Sequence, residues 1–582
     1  MSTAVNGQAP TCASSAGRAS SAGHGPAAGH GGTEEFVPPV PADFSVSQPG
    51  PVSPTSPAAA FAPVPRLAVN VARFLRQTAA RIPAHAAMIA GETVLTWERL
   101  DERASALAAA LLSGRTGRRD TVMLVADNAP DTAVAFWGIL RAGAVIAPPN
   151  AMLSTEELLG IAEEVRPSAV LADRAHTGFV EALRTTGWDG DVFTVGEFDA
   201  LPPAPEQPDA PVLEDDPCWY FFTSGSTGRP KAATFTHRHL AAVLANHYGD
   251  LFPTETEAGA SLVIAPLSHG AGIHMLAQVF TGCASVLVPG PGFDATKAWE
   301  LIDRHGVTNA FTVPTILNRI VDAYPAERGP QDHTLRCVVY AGAPMLASDQ
   351  EKALARLGPC LVQYFGLAEV TGSITVLRPQ EHGRIPVDAA GIGTCGRART
   401  GVVISIMDDD GRELPAGEQG EVCVSGPTVF AGYLGREDAN AEAFAHGVFH
   451  TGDVGYLNAQ GYLFLTGRKS DMFISGGSNV YPREVEEAIQ TFSGVSQTCV
   501  VGVPDPQWGE VGVAVVETAR PLPEAERDAK GAELKAFLKA RLAAYKVPKE
   551  YVFVEEMPVT AYGKIARKEL RAELSEGRGR AR

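Results

Sequence analysis

The chain lacks the sequence features of membrane, secreted and nucleic-acid-binding proteins. No apolar run approaches the roughly 20 residues that a membrane-spanning helix needs, and the N-terminus lacks the basic-then-apolar pattern of a secretion signal. The formal net charge is −18, with 48 Lys and Arg against 66 Asp and Glu, so a basic surface for nucleic-acid phosphates is not expected. We therefore expect a cytoplasmic protein with no integral membrane segment and no nucleic-acid partner.

Cysteine is also sparse, and its spacing excludes two common kinds of site. The 8 cysteines are scattered along the chain with no Cys-x-x-Cys pair, so neither a zinc knuckle nor a disulfide framework is indicated. This pattern is typical of a protein from a reducing cytoplasm.

Residues 1–66 differ in composition from everything after them. They are dominated by Ala, Ser, Gly and Pro and have few large aliphatic residues, so they cannot bury enough apolar area to offset the entropy of ordering. We predict a disordered extension over 1–66. The rest of the chain is long enough to form several hydrophobic cores, since 45% of the residues of the whole chain are hydrophobic.

From residue 67 the pattern predicts a doubly wound α/β architecture. Helices expected over 71–81 and 100–113 alternate with short apolar strands, and such alternation is typical of parallel sheets. The predicted strands are 93–97, 121–126, 169–172, 261–265, 284–288 and 336–340. A β-rich subdomain follows, with strands expected over 402–407, 420–425 and 462–464. These parts form a predicted large N-terminal domain over 67–470.

The sequence pattern over 471–582 predicts a small α+β domain. Its expected elements are helices over 482–492 and 532–542 and strands over 498–503, 511–518 and 551–555.

The segment 220–231 is the most informative local motif. It reads Tyr-Phe-Phe-Thr-Ser-Gly-Ser-Thr-Gly-Arg-Pro-Lys, an apolar strand that enters a hydroxyl-rich and glycine-rich turn and ends on a lysine. Hydroxyls can donate to phosphate oxygens, glycines allow close backbone approach, and the lysine supplies charge. It is not the ordinary P-loop, because Pro230 separates Gly228 from Lys231 and an apolar strand follows. The predicted phosphate-binding residues are Thr223, Ser224, Gly225, Ser226, Thr227, Gly228 and Lys231.

Several further motifs follow in sequence order, and the set of motifs, rather than any one of them, resembles a known family. They lie at 266–269, 340–344, 363–369, 451–453, 467–468 and 563–564. Together with 223–231 they resemble the adenylate-forming superfamily, which includes acyl-CoA synthetases, 4-coumarate:CoA ligases, firefly luciferase and peptide-synthetase adenylation domains. The resemblance covers roughly residues 70–570. It implies that a carboxylate attacks the α-phosphate of ATP and displaces pyrophosphate, and that the acyl group of the resulting adenylate is then transferred to CoA with release of AMP.

The resemblance also implies roles for individual residues, with ATP, Mg²⁺ and CoA as cofactor and co-substrates. Glu369 and Thr223 would bind Mg²⁺, Phe365 would stack on adenine, and Asp453 would accept from the ribose hydroxyls with Arg468 nearby. Lys564 would be the catalytic lysine, carried on a small domain that rotates between the two half-reactions. The other implied residues are His269 in the catalytic site, Gly342, Ala343, Pro344 and Gly366 at the nucleotide, and Gly476, Gly477 and Lys546 at CoA.

Three positions depart from the family pattern. Ala368 replaces a threonine often placed at the α-phosphate, and Ser470 stands where a charged hinge residue is usual. His269 falls about where amino-acid-activating domains carry an aspartate, so an amino-acid substrate is disfavoured. No nearby arginine is evident for a second carboxylate. We therefore expect an apolar fatty or aromatic acid.

The sequence is also compatible with two alternative functions. The chain could load a carrier protein or form adenylates without CoA. Residues 391–396 match the dinucleotide fingerprint Gly-x-Gly-x-x-Gly, but they follow no predicted strand and lead into a β-branched run, so an NAD-dependent oxidoreductase is disfavoured.

Overall fold

The computed structural model describes residues 67–205, 207–223, 230–290, 292–343, 345, 347–372, 374–384, 387, 393–559 and 565–580. The predicted extension over 1–66 lies outside the described residues. The central part of the phosphate-binding motif, 224–229, and the segment 560–564 that contains Lys564 also lie outside them.

The first part of the large domain alternates strands and helices, as the sequence predicts. Its elements are β1 (Leu67–Ala68), α1 (Ala72–Arg81), β2 (Ala86–Ala90), β3 (Thr93–Thr96), α2 (Trp97–Ser113), β4 (Thr121–Val125), α3 (Pro130–Arg141), β5 (Val145–Ala147), α4 (Thr155–Val165), β6 (Ala169–Ala172), α5 (Thr177–Thr185), β7 (Asp191–Thr194), β8 (Val212–Leu213), β9 (Pro217–Thr223), β10 (Lys231–Thr236) and α6 (His237–Leu251).

The alternation continues into the second part. Its elements are β11 (Ala260–Val263), α7 (Gly270–Thr281), β12 (Ala284–Leu287), α8 (Ala295–His305), β13 (Val307–Thr312), α9 (Pro314–Ala323), β14 (Cys337–Tyr340), α10 (Ala347–Leu357), β15 (Leu361–Gln363) and β16 (Thr375–Val376).

A strand-rich segment and a small α+β segment complete the described chain. The strand-rich segment contains β17 (Arg397–Ala398), β18 (Val403–Met407), β19 (Gly420–Ser425), α11 (Glu437–Ala443), β20 (Phe449–Leu457) and β21 (Leu463–Arg468). The small segment contains β22 (Phe473–Ser475), β23 (Ser478–Val480), α12 (Pro482–Gln490), β24 (Val495–Asp505), β25 (Gly509–Thr518), α13 (Glu524–Lys539), β26 (Glu550–Val554) and α14 (Arg567–Arg580).

Two largely parallel sheets form the layers of the large domain. One has the strand order β10-β9-β5-β4-β6-β7, with β10 antiparallel to β9, and the other has the order β15-β14-β13-β11-β12-β2-β3, with β3 antiparallel to β2. Helices α1, α2, α3, α6 and α7 pack in the main core with both sheets. Helices α4 and α5 pack on the six-stranded sheet, and α8, α9 and α10 pack on the seven-stranded sheet. The doubly wound α/β prediction is confirmed.

Two further sheets, of four and five strands, are antiparallel for the most part. Strands β18 to β21 form a four-stranded sheet in sequence order. In the small segment the order is β23-β22-β25-β24, with β26 parallel to β25 on its other side. Its helices pack on this sheet around two apolar clusters.

Some predicted boundaries are wrong for identifiable reasons. The helix predicted over 100–113 begins at Trp97, because the Thr96 hydroxyl accepts from the backbone N–H of Arg99 and caps the helix. The helix predicted over 532–542 occupies Glu524–Lys539, since its first turn, Glu-Ala-Glu-Arg, consists of good helix formers although it lacks apolar periodicity. The strand predicted over 498–503 extends over Val495–Asp505, because β25 pairs with it along that length.

Candidate active site

The two described ends of the phosphate-binding motif are paired on neighbouring strands. Thr223 ends β9 and Lys231 begins β10, and the two residues lie opposite each other in the antiparallel register. The Thr223 hydroxyl is 3.5 Å from the Lys231 carbonyl oxygen. The predicted residues between them, Ser224, Gly225, Ser226, Thr227 and Gly228, lie outside the described part of the chain.

Lys231 and Glu369 meet at a tyrosine that the sequence analysis missed. The Tyr433 hydroxyl donates to Glu369 Oε1 over 2.8 Å, and the Lys231 ammonium lies 4.8 Å from the centre of the Tyr433 ring. Burial, together with the neighbouring Glu369 carboxylate, raises the pKa of Tyr433 above its ordinary value, so the hydroxyl keeps its proton. The structure thus brings the predicted metal ligand and the predicted phosphate lysine to one side chain.

Loops at one edge of the seven-stranded sheet carry the predicted adenine-binding residues. Strands β14 and β15 are parallel neighbours, with Tyr340 opposite Gln363, so the loops after them leave the sheet side by side. Gly342 has φ +83° and lies exposed in the first loop with Ala343. Half-buried Phe365 and Gly366 lie in the second loop. Pro344 lies outside the described residues.

His269 lies among aromatic rings at the start of α7. Its Nδ1 is 2.9 Å from the Ser268 hydroxyl, and its ring lies edge-on to Phe221 of β9 at 5.8 Å between centroids. A Cβ on the next residue, Gly270, would lie 3.1 Å from the Phe311 ring, and Phe311 stacks on Tyr364 at 5.7 Å. The surroundings of His269 are therefore largely aromatic.

Asp453 and Arg468 face each other across β20 and β21. Arg468 Nε donates to Asp453 Oδ1 over 2.9 Å, while Asp453 Oδ2 is buried and has no hydrogen-bond partner within the part of the chain that the structure describes. Burial raises the pKa of Asp453 above its ordinary value, against the opposing effect of the Arg468 and Arg483 guanidinium groups. An unpaired buried acceptor is costly, so Oδ2 fits a ligand that donates a hydrogen bond.

Residues of the small segment lie close to this carboxylate. Arg483 in α12 bonds to Glu487 over 2.9 Å and interacts electrostatically with Asp453. A Cβ on Gly467 would lie 3.1 Å from Tyr481, directly before α12, so the start of this helix is packed against the end of β21.

The predicted CoA-binding residues occupy two places in the small segment. Gly476 and Gly477 form the exposed turn between β22 and β23, with φ of +59° and +81°. A Cβ on Gly476 would lie 2.9 Å from the half-exposed Trp508 ring. The Lys546 ammonium contacts both carboxylate oxygens of Glu484 at 2.7 Å, so this ion pair would have to open before Lys546 could bind a phosphate.

Three further positions singled out from the sequence are Lys564, Ala368 and Ser470. Lys564 lies outside the described residues, although Val559 and Ile565 on either side of its segment form an antiparallel bridge. Ala368 lies in a short 3₁₀ turn with Glu369, and the hydroxyl of the nearby Thr371 already donates to the Thr428 carbonyl over 3.2 Å. The Ser470 hydroxyl bonds to Asp471 over 3.1 Å.

Comparison with known proteins identifies the family. Residues 75–434 match the model of the AMP-binding enzyme family, and residues 484–564 match the model of the AMP-binding enzyme C-terminal domain. The chain belongs to the AMP-binding enzyme family. The resemblance to adenylate-forming enzymes is therefore confirmed.

Two relatives and one solved structure show how far this similarity extends. The chain is 36% identical over 495 residues to a feruloyl-CoA synthase from Amycolatopsis sp, covering 84% of this chain and 96% of that protein. It is 31% identical over 497 residues to the fatty acid–[acyl-carrier-protein] ligase ScoC from Streptomyces coeruleorubidus, covering 84% and 93%. The structure of O-succinylbenzoate coenzyme A synthetase from Bacillus subtilis with ATP and magnesium ion superposes with a TM-score of 0.74 at 26% identity, covering 85% and 98%.

The described part of this AMP-binding enzyme contains no helix that is both long and apolar enough to cross a bilayer.

Proposed function

We propose that this AMP-binding enzyme is an AMP-forming carboxylate–CoA ligase. The main support is the buried Asp453 Oδ2, which has no hydrogen-bond partner among the described residues and so offers an acceptor for a ribose hydroxyl within a family of AMP-binding enzymes. The arrangement of Lys231 and Glu369 around Tyr433 adds a cation and a carboxylate for a triphosphate and its magnesium. Residues 67–470 would form the nucleotide-binding domain and 471–582 the mobile domain.

In the first half-reaction the chain must bring two anions together, the carboxylate and the triphosphate. Magnesium bound with ATP would neutralise part of the phosphate charge, with Glu369 and Thr223 as its protein ligands. Lys231 would neutralise further charge at the phosphates, and Lys564 would act at the carboxylate oxygen and the α-phosphate. Phe365 would stack on the adenine while Asp453 holds the ribose.

The acid that we propose is aromatic and apolar, of the hydroxycinnamate type. The Phe221, Phe311 and Tyr364 rings lie around His269 and Gly270, and aromatic rings pack well on one another. The relative from Amycolatopsis is named a feruloyl-CoA synthase, which supports the same substrate class.

In the second half-reaction, we propose that CoA enters along the Gly476–Gly477 turn after the small domain rotates. Both glycines lack a side chain where the pantetheine arm would pass, and the half-exposed Trp508 ring beside Gly476 offers a stacking surface. The relative ScoC is named a fatty acid–[acyl-carrier-protein] ligase, so a carrier protein is the alternative acceptor of the acyl group.

A cytoplasmic location accompanies this proposal. The cysteines within the described residues are all free and buried, which suits a reducing compartment.

Product analysis tests the proposed function. The purified chain is incubated with ATP, Mg²⁺ and ferulate, with and without CoA, and the products are identified by mass spectrometry. We expect AMP and pyrophosphate, and feruloyl-CoA only when CoA is present. AMP release that is unaffected by CoA, with no thioester formed, would contradict the CoA ligase and favour the carrier-protein acceptor.

A further inference from the structure

Tyr433 contacts the two charged side chains assigned to the triphosphate and its metal, each through a different part of its own side chain. Its hydroxyl donates to Glu369 Oε1 over 2.8 Å, and its ring face lies 4.8 Å from the Lys231 ammonium. An ionised carboxylate can only accept hydrogen bonds, so the tyrosine must be the donor. The ring contact is a cation–π interaction, which restrains the long and flexible lysine side chain.

The backbone of Tyr433 is fixed independently of these side-chain contacts. Its N–H donates to Asn440 Oδ1 over 2.7 Å, and its carbonyl accepts from Asn440 Nδ2 over 2.9 Å. Tyr433 also forms an antiparallel bridge with Ala233 of β10, two residues after Lys231. The Phe430 ring lies 4.9 Å from the Tyr433 ring. A side chain on such a restrained backbone can set the positions of its neighbours.

Glu369 is attached to the same segment through its main chain. The Phe430 N–H donates to the Glu369 carbonyl over 2.8 Å, so both the backbone and the carboxylate of Glu369 are held by residues 430–433. With Oε1 occupied by Tyr433, the other oxygen, Oε2, makes no hydrogen bond to a described residue. The arrangement leaves one oxygen of Glu369 for a ligand.

Lys231 and Glu369 carry opposite charges next to one ring, where a direct ion pair would neutralise both. Such a pair would remove the cation from the phosphates and the carboxylate from the metal. In the structure each charge has a separate partner on Tyr433: the ring face for the ammonium and the hydroxyl for the carboxylate.

We propose that Tyr433 is a positioning residue that keeps Lys231 and Glu369 apart and holds each of them toward the triphosphate and its magnesium. This inference rests on the proposed function, because it concerns how the same site binds ATP with its metal. It adds a residue to which the sequence motifs assigned no role.

Calorimetric titration of the full-length protein with ATP, in Mg²⁺ and separately in EDTA, tests this role without relying on turnover. The Tyr433→Phe variant keeps the ring but loses the hydroxyl, so we expect about a tenfold loss of affinity for ATP in Mg²⁺ and no change in EDTA. Tyr433→Leu also loses the ring, and we expect affinity to fall in both conditions. The half-exposed Tyr248 in α6 provides a matched control, and Tyr248→Phe should change neither affinity.

Two outcomes would overturn the inference. One is a Tyr433→Phe variant whose affinity in Mg²⁺ equals that of the unaltered chain. The other is an equal loss in Mg²⁺ and in EDTA, which indicates a general structural role. Absence of ATP binding by the unaltered chain would instead contradict the proposed function.

Discussion

Asp453 and Arg468 form a hydrogen-bonded pair that satisfies only one oxygen of the carboxylate. Arg468 Nε donates to Oδ1 over 2.9 Å, and no described residue forms a hydrogen bond with the buried Oδ2. The arginine therefore orients the carboxylate and stabilises its charge without occupying its second acceptor. We propose that this second acceptor, Oδ2, binds a ribose hydroxyl of ATP.

We predict that Asp453→Asn raises the KM for ATP about tenfold, since a hydrogen bond to a charged group contributes about 1.5–3 kcal/mol. Steady-state pyrophosphate release as a function of ATP concentration measures this. Asp409→Asn is the control, because the Asp409 carboxylate is 93% exposed and pairs with Lys469. Equal KM values in the two variants would show that Asp453 does not contact the nucleotide.

Lys564→Ala should separate the two half-reactions. We expect adenylate formation to fall by at least about a hundredfold, as is usual for the loss of a group that stabilises transition-state charge. Thioester formation from a pre-made acyl adenylate should be retained. Lys539→Ala, at the exposed end of α13, should leave both steps unchanged. A similar loss in both steps would argue against a role restricted to the first.

Gly477→Ala should impair the second half-reaction and leave the first intact, the opposite of Lys564→Ala. The added methyl group lies on the turn proposed to face CoA, so we expect normal pyrophosphate release but slower acyl-CoA formation. Gly494→Ala is a closely matched control: both glycines have positive φ (+81° and +92°), and a Cβ on either would meet no atom of the described residues within 4 Å. The backbone strain of about 1 kcal/mol is then common to both variants. The proposed CoA path would be wrong if both variants slowed thioester formation equally.

Stability should fall in mild acid because several histidines are buried in the neutral form. Burial lowers the pKa of four of them to about 4, namely His237, His239, His274 and His382. Below pH 6.5 the unfolded chain binds these protons and the folded chain does not, so the free energy of unfolding decreases as pH falls from 6.5 toward 4. Each such histidine lowers the free energy of unfolding by about 1.4 kcal/mol for each unit that the pH falls in that window.

Denaturant unfolding at pH 7.5, 6.0 and 5.0 measures this dependence. His237→Gln, which lies in α6 and removes one buried titrating group, should reduce the slope, and His85→Gln, at an exposed position, should not. If the free energy of unfolding changes equally with pH in the unaltered chain and in His237→Gln, His237 is not buried in the neutral form.

The local sequence predicted the strands and motifs but not the contacts between distant segments. The strand over 169–172 was predicted with its observed bounds because both ends carry clear turn signals. Tyr433 was missed because its partner Glu369 is 64 residues away, and nothing in the local sequence links the two. The proximity of Arg483 to Asp453 depends on how the small segment packs against β21, which no single motif encodes.

AMP release measured with and without CoA over a panel of acids tests directly whether the chain is a CoA ligase for aromatic acids. The panel contains hydroxycinnamates, benzoates, short to long fatty acids and malonate. We predict the highest kcat/KM with a hydroxycinnamate, together with a matching acyl-CoA product that forms only when CoA is added. Preference for malonate over all the aromatic and fatty acids would contradict an apolar aromatic substrate, and AMP release without any acyl-CoA product would contradict a CoA ligase.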